Sequence, residues 1–180
     1  MGSSSKRAKS SSTGAPNAAW RAAFISRGSL LGAARWSPTI AFCGRDVPLD
    51  AIELACTRRD VTDLAPLRSL TKLESLVLTF APVSDLAPVA DLPALKVLVV
   101  LFSSVTDVAP LAKLTQLEAL ALSFAPVSDV TAIGKLPHLV QLDLNGTRVV
   151  DLSPLAGLPR LEKLDLRETR VLDLGPLSAI

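Results

Sequence analysis

The sequence predicts a solenoid, an α/β fold in which short strands stack into one parallel sheet and short helical turns line the opposite side. Three observations support it: a period of 22 residues, leucines that recur within each period, and an aspartate at a constant position. A valine opens each copy and the aspartate follows two residues later: Val61, Val83, Val105, Val127, Val149 and Val171 precede Asp63, Asp85, Asp107, Asp129, Asp151 and Asp173. Units of this length bury their apolar edges only against neighbouring units, so the core extends along the stack of repeats instead of forming one globular cluster.

The leucine spacing within a copy places the strands. Leucines three residues apart suit a turn, whereas a spacing of two predicts a strand whose adjacent residues face opposite ways. Because all copies run in the same sense, the sheet of about six strands should be parallel. The expected strands are near 52–57, 74–79, 96–101, 118–123, 140–145 and 162–167, and the repeats at 61–180 comprise five full copies and a C-terminal half copy.

The other half of each copy reads Asp-[Leu/Val]-x-Pro, with Ala132 in place of proline once. An aspartate accepts backbone N–H groups at the start of a helical turn, and proline is tolerated in its first turn. This pattern predicts capped, short 3₁₀ or helical turns on the convex side. Stacked carboxylates could instead share calcium, but calcium-binding β-rolls use a glycine-rich nine-residue repeat that is absent here. We therefore expect capping and no metal site.

Residues 1–39 are interpreted as a flexible, basic, Ser/Arg-rich leader. Residues 1–45 contain seven Lys or Arg and no acid, so the net charge of +2 leaves −5 for residues 46–180. A misassigned start of translation, an organelle-targeting segment and a nucleic-acid-binding tail are alternatives. Seven scattered charges are few for tracking phosphates, so nucleic acid is not the predicted partner. Neither a secretory signal nor a membrane span is predicted, and the expected location is the cytoplasm.

Residues 40–60 should cap the N-terminal end and supply the first strand. Ile40–Val47 imitates the strand-and-turn sequence of a repeat and is interpreted as a capping strand. Cys43 and Cys56 are one conceivable disulfide pair, but a single pair does not indicate a disulfide-rich scaffold. Because Cys56 occupies an inward leucine position, the sequence favours a small buried thiol there.

The chain has little material for catalysis. It lacks tyrosine, its one histidine is His138, and no serine or cysteine lies in a recognisable catalytic motif. We expect His138 to be a solvated imidazole on a convex turn. Phosphate loops and metal-ligand spacings are also absent from the sequence, so the prediction is a non-enzymatic protein without a cofactor.

The outward side chains of the strands are the candidate binding site. Their columns are apolar in the first repeats and polar in the later ones, and Phe80, Phe102 and Phe124 should form a ladder of rings about 5 Å apart. The ladder is either a rim of the core or a partner surface, and the apolar neighbours favour the partner surface. The predicted partner-binding residues are Phe80, Phe102, Phe124, Val77, Val99, Leu101, Asp143, Asn145, Asp165 and Arg167.

The motif Val-Val-Asp-Leu-Ser-Pro-Leu-Ala-Gly-Leu-Pro-Arg-Leu-Glu-Lys-Leu-Asp-Leu at 149–166 resembles the 22-residue leucine-rich repeats of the internalin type. The resemblance covers about 52–180. It implies a leucine-rich repeat horseshoe whose concave sheet binds another protein, often through aromatic residues. A regulatory or targeting subunit of an enzyme such as a phosphatase, and a surface adhesin-like protein, are alternative functions for the same fold.

Two features depart from the family pattern. Where the family has an asparagine two residues before the valine, this chain has Arg59, Ala81, Ser103, Ala125, Thr147 and Thr169. Alanine cannot replace the hydrogen bonds of asparagine, so the turns at residues 81 and 125 should differ from the others. The last copy stops at Ile180 before its strand, from which we expect a truncated reading frame or self-association through the uncovered C-terminal edge.

Overall fold

A computed structural model describes residues 38–179 of the chain. Most of the predicted leader therefore lies outside the described residues. Within them, two sheets are present: an antiparallel pair and a six-stranded parallel sheet. The strands are β1 (Thr39–Phe42), β2 (Arg45–Pro48), β3 (Glu53–Cys56), β4 (Ser75–Thr79), β5 (Val97–Leu101), β6 (Ala119–Ala121), β7 (Gln141–Asp143) and β8 (Lys163–Asp165).

The parallel sheet follows the order of the chain from β3 to β8, and each residue pairs with the residue one period later. Leu54, for example, pairs with Leu76, which pairs with Leu98. The predicted six-stranded solenoid is confirmed. The strands begin one residue later than expected, and β6, β7 and β8 are only three residues long.

The core is a set of leucine rows that run perpendicular to the strands. Leu76, Leu98 and Leu120 are fully buried on the inner face of the sheet, as are Leu67 and Leu111 on the turns that face it. Burial of one such side chain contributes about 1.5–3 kcal/mol relative to exposure. Each row continues into the next repeat, so the stability of a repeat depends on its neighbours.

Short 3₁₀ helices line the opposite side, as predicted. Every periodic aspartate accepts a hydrogen bond through Oδ1 from the backbone N–H two residues later, at 2.7–2.8 Å. These bonds engage all six carboxylates just before the helical turns, although the residues in the N-cap positions, such as Leu64 and Pro88, make no side-chain cap bond. The helices are Ala65–Ser69, Val89–Asp91, Ala109–Lys113, Ile133–Lys135, Ser153–Gly157 and Gly175–Ala179.

The N-terminal cap differs from the prediction. Instead of a single capping strand, β1 and β2 form an antiparallel hairpin that turns at Cys43 and Gly44, and it buries Phe42 and Val47. The expected free thiol at Cys56 is wrong, because the hairpin turn brings Cys43 to the end of β3 and the two cysteines form a disulfide with Cα atoms 5.9 Å apart. Such a separation is typical of disulfides.

The turns do differ at the family's asparagine position. Thr147 is buried and donates its hydroxyl to the Leu144 carbonyl at 2.6 Å, whereas Ala81 and Ala125 are buried with no polar group. At Ala125 the turn is closed by the backbone alone, through a 3.0 Å bond from its N–H to the Leu122 carbonyl. A methyl group therefore fills the space at this site without leaving a side-chain polar atom unpaired.

At the C-terminal end of the described residues, the last leucine rows are less covered. Leu164 and Leu166 are half-buried, and Leu172 and Leu174 are exposed. Across residues 38–179, no helix is both long and apolar enough to cross a membrane.

Candidate protein-binding face

Phe80, Phe102 and Phe124 form a ladder of stacked rings at the ends of β4, β5 and β6. The ring centroids are 4.8 Å apart for the first pair and 4.7 Å for the second, with interplanar angles of 16° and 2°. The three side chains are 43%, 38% and 36% exposed, so they are not simply part of the core. Ring pairs at these distances contribute about 0.5–1.5 kcal/mol beyond their area.

All three phenylalanines have left-handed backbone conformations, with φ values of 61°, 53° and 60°. A bulky residue rarely adopts this region, because its Cβ approaches the following carbonyl at a cost of roughly 1–2 kcal/mol. The sheet holds them there: the Phe80 N–H, for example, donates to the Leu101 carbonyl at 3.0 Å. Gly146, which occupies the same position in the next copy, also has a positive φ of 67°. In the sequence, this glycine was the indication that the position requires a left-handed backbone conformation.

Two residues that were not among the predicted site residues lie at the two ends of the ladder. At one end, the Arg59 guanidinium lies over the Phe80 ring, 5.5 Å from its centroid, within the range of a cation–π interaction. At the other end, the Phe124 ring lies so close to Gly146 that an added Cβ would stand 2.6 Å from ring carbon Cδ1. The absence of a side chain at Gly146 therefore allows the stacked position of the last ring.

The apolar neighbours of the ladder are less accessible than expected. Val77 is half-buried, but Val99 and Leu101 are only 6% and 7% exposed. The expectation that these two would extend an exposed patch is wrong. They stand on β5, with strands on both sides whose side chains lie about 4.8 Å away and cover short aliphatic groups. Beside the outward side chains of β4 to β6, the accessible apolar surface is therefore mainly the ladder.

The polar residues of the predicted site are hydrogen-bonded largely to one another. Asp143 accepts the Asn145 N–H at 2.9 Å, and Asp165 accepts the Arg167 N–H at 3.0 Å and its guanidinium at 2.6 Å. The hydrogen bond from Arg167 is the main reason that the pKa of Asp165 is lowered from its ordinary value. The Oδ1 atom of Asn145 is buried without a hydrogen-bond partner. Asp143 has no ion-pair partner among the described residues.

A further outward column was missed. The central outward column is Ala55, Val77, Val99, Ala121, Asp143 and Asp165. Side chains alternate along a strand, so the residues two positions before these share the same face of the sheet. Most are half-buried, and the charged ends are exposed. In register, this further column is Glu53, Ser75, Val97, Ala119, Gln141 and Lys163.

Outside the sheet, the features to consider are His138 and a cavity on the helical side. His138 is half-buried rather than solvated, because it stands between the buried Leu136 and Leu139, and its Nδ1 is buried without a hydrogen-bond partner. A cavity of about 220 Å³ on the helical side includes Asp107 and Asp129, whose carboxylates already accept backbone N–H groups. Within residues 38–179, no three His, Cys, Asp or Glu side chains are grouped to hold a metal ion.

Comparisons with known proteins agree with this architecture. A family model described as Leucine Rich repeats (2 copies) matches residues 137–179. Among solved structures, an internalin (inlF) from Listeria monocytogenes is 27% identical with a TM-score of 0.70, and the match covers 76% of this chain and 42% of that protein. Internalin C2 (inlC2) from the same species is 28% identical with a TM-score of 0.64, and covers 69% of this chain and 55% of that one.

The plant peptide hormone receptor RGFR1, solved in complex with RGF2, shares the fold at 20% identity and a TM-score of 0.56, with 65% of this chain and 20% of that one covered. Curated proteins gave no match. This chain spans about half or less of the length of the two internalins. The repeat period, the parallel sheet and these similarities together show a leucine-rich repeat fold whose repeats are similar to those of internalins.

Proposed function

We propose that this chain is a non-catalytic module that binds a partner protein through the concave face of its sheet. The observation that carries the proposal is the ladder: Phe80, Phe102 and Phe124 are stacked, partly exposed and held in a left-handed backbone conformation. Large aromatic side chains on a surface are the typical anchors of protein interfaces.

The energetics support a role beyond folding. Each left-handed phenylalanine costs roughly 1–2 kcal/mol, and each leaves more than a third of its side chain in water. Glycine would adopt this conformation with less strain, and does so at Gly146. Glu168 has the same conformation one copy later, with a φ of 56°, so the left-handed position belongs to the repeat turn, and the phenylalanine side chains are what the turn itself does not require. The stacking also fixes the rings before a partner arrives, which reduces the entropy lost on binding.

The partner surface that we propose centres on Phe102 and extends over Phe80, Phe124 and the half-buried Val77. Asp143 and Asn145 border it on the next strand along the sheet. Asp165 and Arg167 are less suited to bind directly, because they already pair with each other.

An adhesin-like role outside the cytoplasm is the second candidate. The Cys43–Cys56 disulfide favours it, since structural disulfides persist mainly in oxidising compartments such as the periplasm or the cell surface. This observation weighs against the cytoplasmic location expected from the sequence. Alkylation of free thiols in the producing cells before lysis would decide, because a cytoplasmic protein would show both cysteines modified.

The binding proposal can be tested by affinity capture. Wild-type chain, Phe102→Ala and the control Val150→Ala would be immobilised and exposed to the same extract, because Val150 is an exposed apolar residue outside the ladder. We expect a protein retained by the wild type and the control but lost by Phe102→Ala. Retention of the same proteins in equal amounts by all three would contradict the proposal.

A further inference from the structure

The disulfide joins the turn of the N-terminal hairpin to the end of β3. Cys43 lies in the turn between β1 and β2, and Cys56 is the last residue of β3, 13 residues later. Besides this bond, the hairpin is held by the burial of Phe42 and Val47, by Ile40 and Leu49 packed against the core, and by a 3.2 Å hydrogen bond from Arg45 Nη2 to the Ala55 carbonyl. A two-stranded hairpin is marginally stable by itself.

The hairpin also contacts the first strand of the parallel sheet through one side chain. Among residues 38–179, β3 pairs with β4 alone. The Ile52 carbonyl points to β4, where it accepts the N–H groups of Glu74 and Ser75, so by alternation the Ala55 carbonyl points away from β4. The Arg45 guanidinium donates its hydrogen bond to this Ala55 carbonyl. Uncovered strand edges are templates for pairing with other chains, and native proteins commonly cover them.

We propose that the Cys43–Cys56 disulfide is a redox-dependent lock on this N-terminal cap. In the oxidised chain the hairpin turn is tied to the end of β3. In the reduced chain the hairpin opens more often, which frees the Ala55 carbonyl from Arg45, while the repeats from β5 to β7 stay folded. The lock concerns the cap alone and does not depend on the binding role of the ladder.

The two sulfur atoms differ in access, which sets the course of reduction. Cys43 is partly exposed and Cys56 is buried, so a dithiol reductant attacks Sγ of Cys43. The S–S bond breaks, and its electron pair leaves on Cys56 Sγ, which takes up a proton. The second thiol of the reductant then attacks the mixed disulfide, releases Cys43 as a thiol and leaves as a cyclic disulfide. Two electrons have passed to the protein.

The expected size of the effect follows from the closed loop. A disulfide that closes a loop of about 15 residues disfavours the open chain by about 100-fold in the chain-entropy model. Reduction should therefore raise the equilibrium for opening the hairpin by a factor of that order. Residues far from the loop should not respond.

Hydrogen exchange of the full chain, oxidised and reduced with dithiothreitol, tests the lock. We expect backbone amides from Ile40 to Leu49 to exchange about 100-fold faster after reduction, with β5 to β7 unchanged. The variant with Cys43→Ser and Cys56→Ala should exchange like the reduced wild type with or without the reductant. Arg45→Ala, which keeps the disulfide, should retain the redox response.

Three results would overturn the proposal. Unchanged exchange in the hairpin after reduction would mean that packing alone holds the cap. Equal acceleration of exchange in β5 to β7 would mean that the bond supports the whole array. Exchange in the cysteine-free variant as slow as in the oxidised wild type would remove the disulfide as the cause.

Discussion

Gly146→Ala should destabilise the chain through the last ring of the ladder. The new Cβ would stand 2.6 Å from Cδ1 and 2.7 Å from Cε1 of Phe124, distances that the ring can relieve only by leaving its stacked position. The residue also has a φ of 67°, which a methyl side chain disfavours.

The two costs can be estimated separately. The left-handed conformation costs alanine roughly 1–2 kcal/mol. Displacing the Phe124 ring from its stack on Phe102 costs about 0.5–1.5 kcal/mol more. The expected loss is about 1.5–3.5 kcal/mol of unfolding free energy, or a fall in Tm of about 3–14 °C for a chain of this size.

Gly157→Ala is the matched control. No atom lies within 4 Å of an added Cβ at Gly157, and its φ is not left-handed. Alanine at such a site leaves stability unchanged or raises it by up to about 1 kcal/mol, because it restricts the unfolded chain.

Urea denaturation of four proteins measures the coupling: wild type, Gly146→Ala, Phe124→Ala and the double variant. In the Phe124→Ala background the ring is absent, so Gly146→Ala should cost only the backbone term of roughly 1–2 kcal/mol. Strictly additive effects, or a Gly146→Ala variant as stable as Gly157→Ala, would refute the contact between ring and glycine.

Three further predictions concern the ladder, the turns and the polar half of the sheet. Phe102→Gly should be more stable than Phe102→Ala by about 1 kcal/mol in urea denaturation, because glycine tolerates its φ of 53°; the reverse order would argue against backbone strain. Asp85→Ala should cost about 1 kcal/mol and Asp85→Asn much less, since the amide oxygen can still accept the Ala87 N–H; equal losses would exclude that bond as the cause. NMR titration should place the pKa of Asp165 below that of its Arg167→Ala variant. Since the folded-state pKa is the lower one, this pair should stabilise the fold above about pH 4 and lose its contribution as the pH falls through the lowered pKa; an unchanged pKa in the variant would contradict the pairing.

Much of the architecture follows from local pattern. Leucine spacing predicts which residues enter the core, and a constant period predicts the register, because each strand can bury its leucines only beside the same leucines of the next copy. The aspartate caps were equally predictable, since a bond over two residues needs no knowledge of the rest of the chain.

The incorrect or missing predictions concern contacts that the 22-residue repeat pattern does not encode. The disulfide depends on the hairpin turn, which lies outside the repeats. The burial of Val99 and Leu101 depends on the side chains of neighbouring strands rather than on their own outward position. The left-handed phenylalanines went unrecognised because bulky side chains are rare in that conformation. Gly146 in the same column was the one residue whose type indicated it.

The comparison of binding and stability in Phe102→Ala tests the central claim most directly. With the captured partner, we expect affinity to fall by about 30-fold or more, as for a central aromatic anchor worth about 2 kcal/mol. The unfolding free energy should fall by about 1–3 kcal/mol, because the ring is partly exposed and loses mainly its two stacking contacts. A loss of more than about 3 kcal/mol in stability, as for a buried phenyl group, with unchanged affinity would show that the ladder serves the core and not a partner.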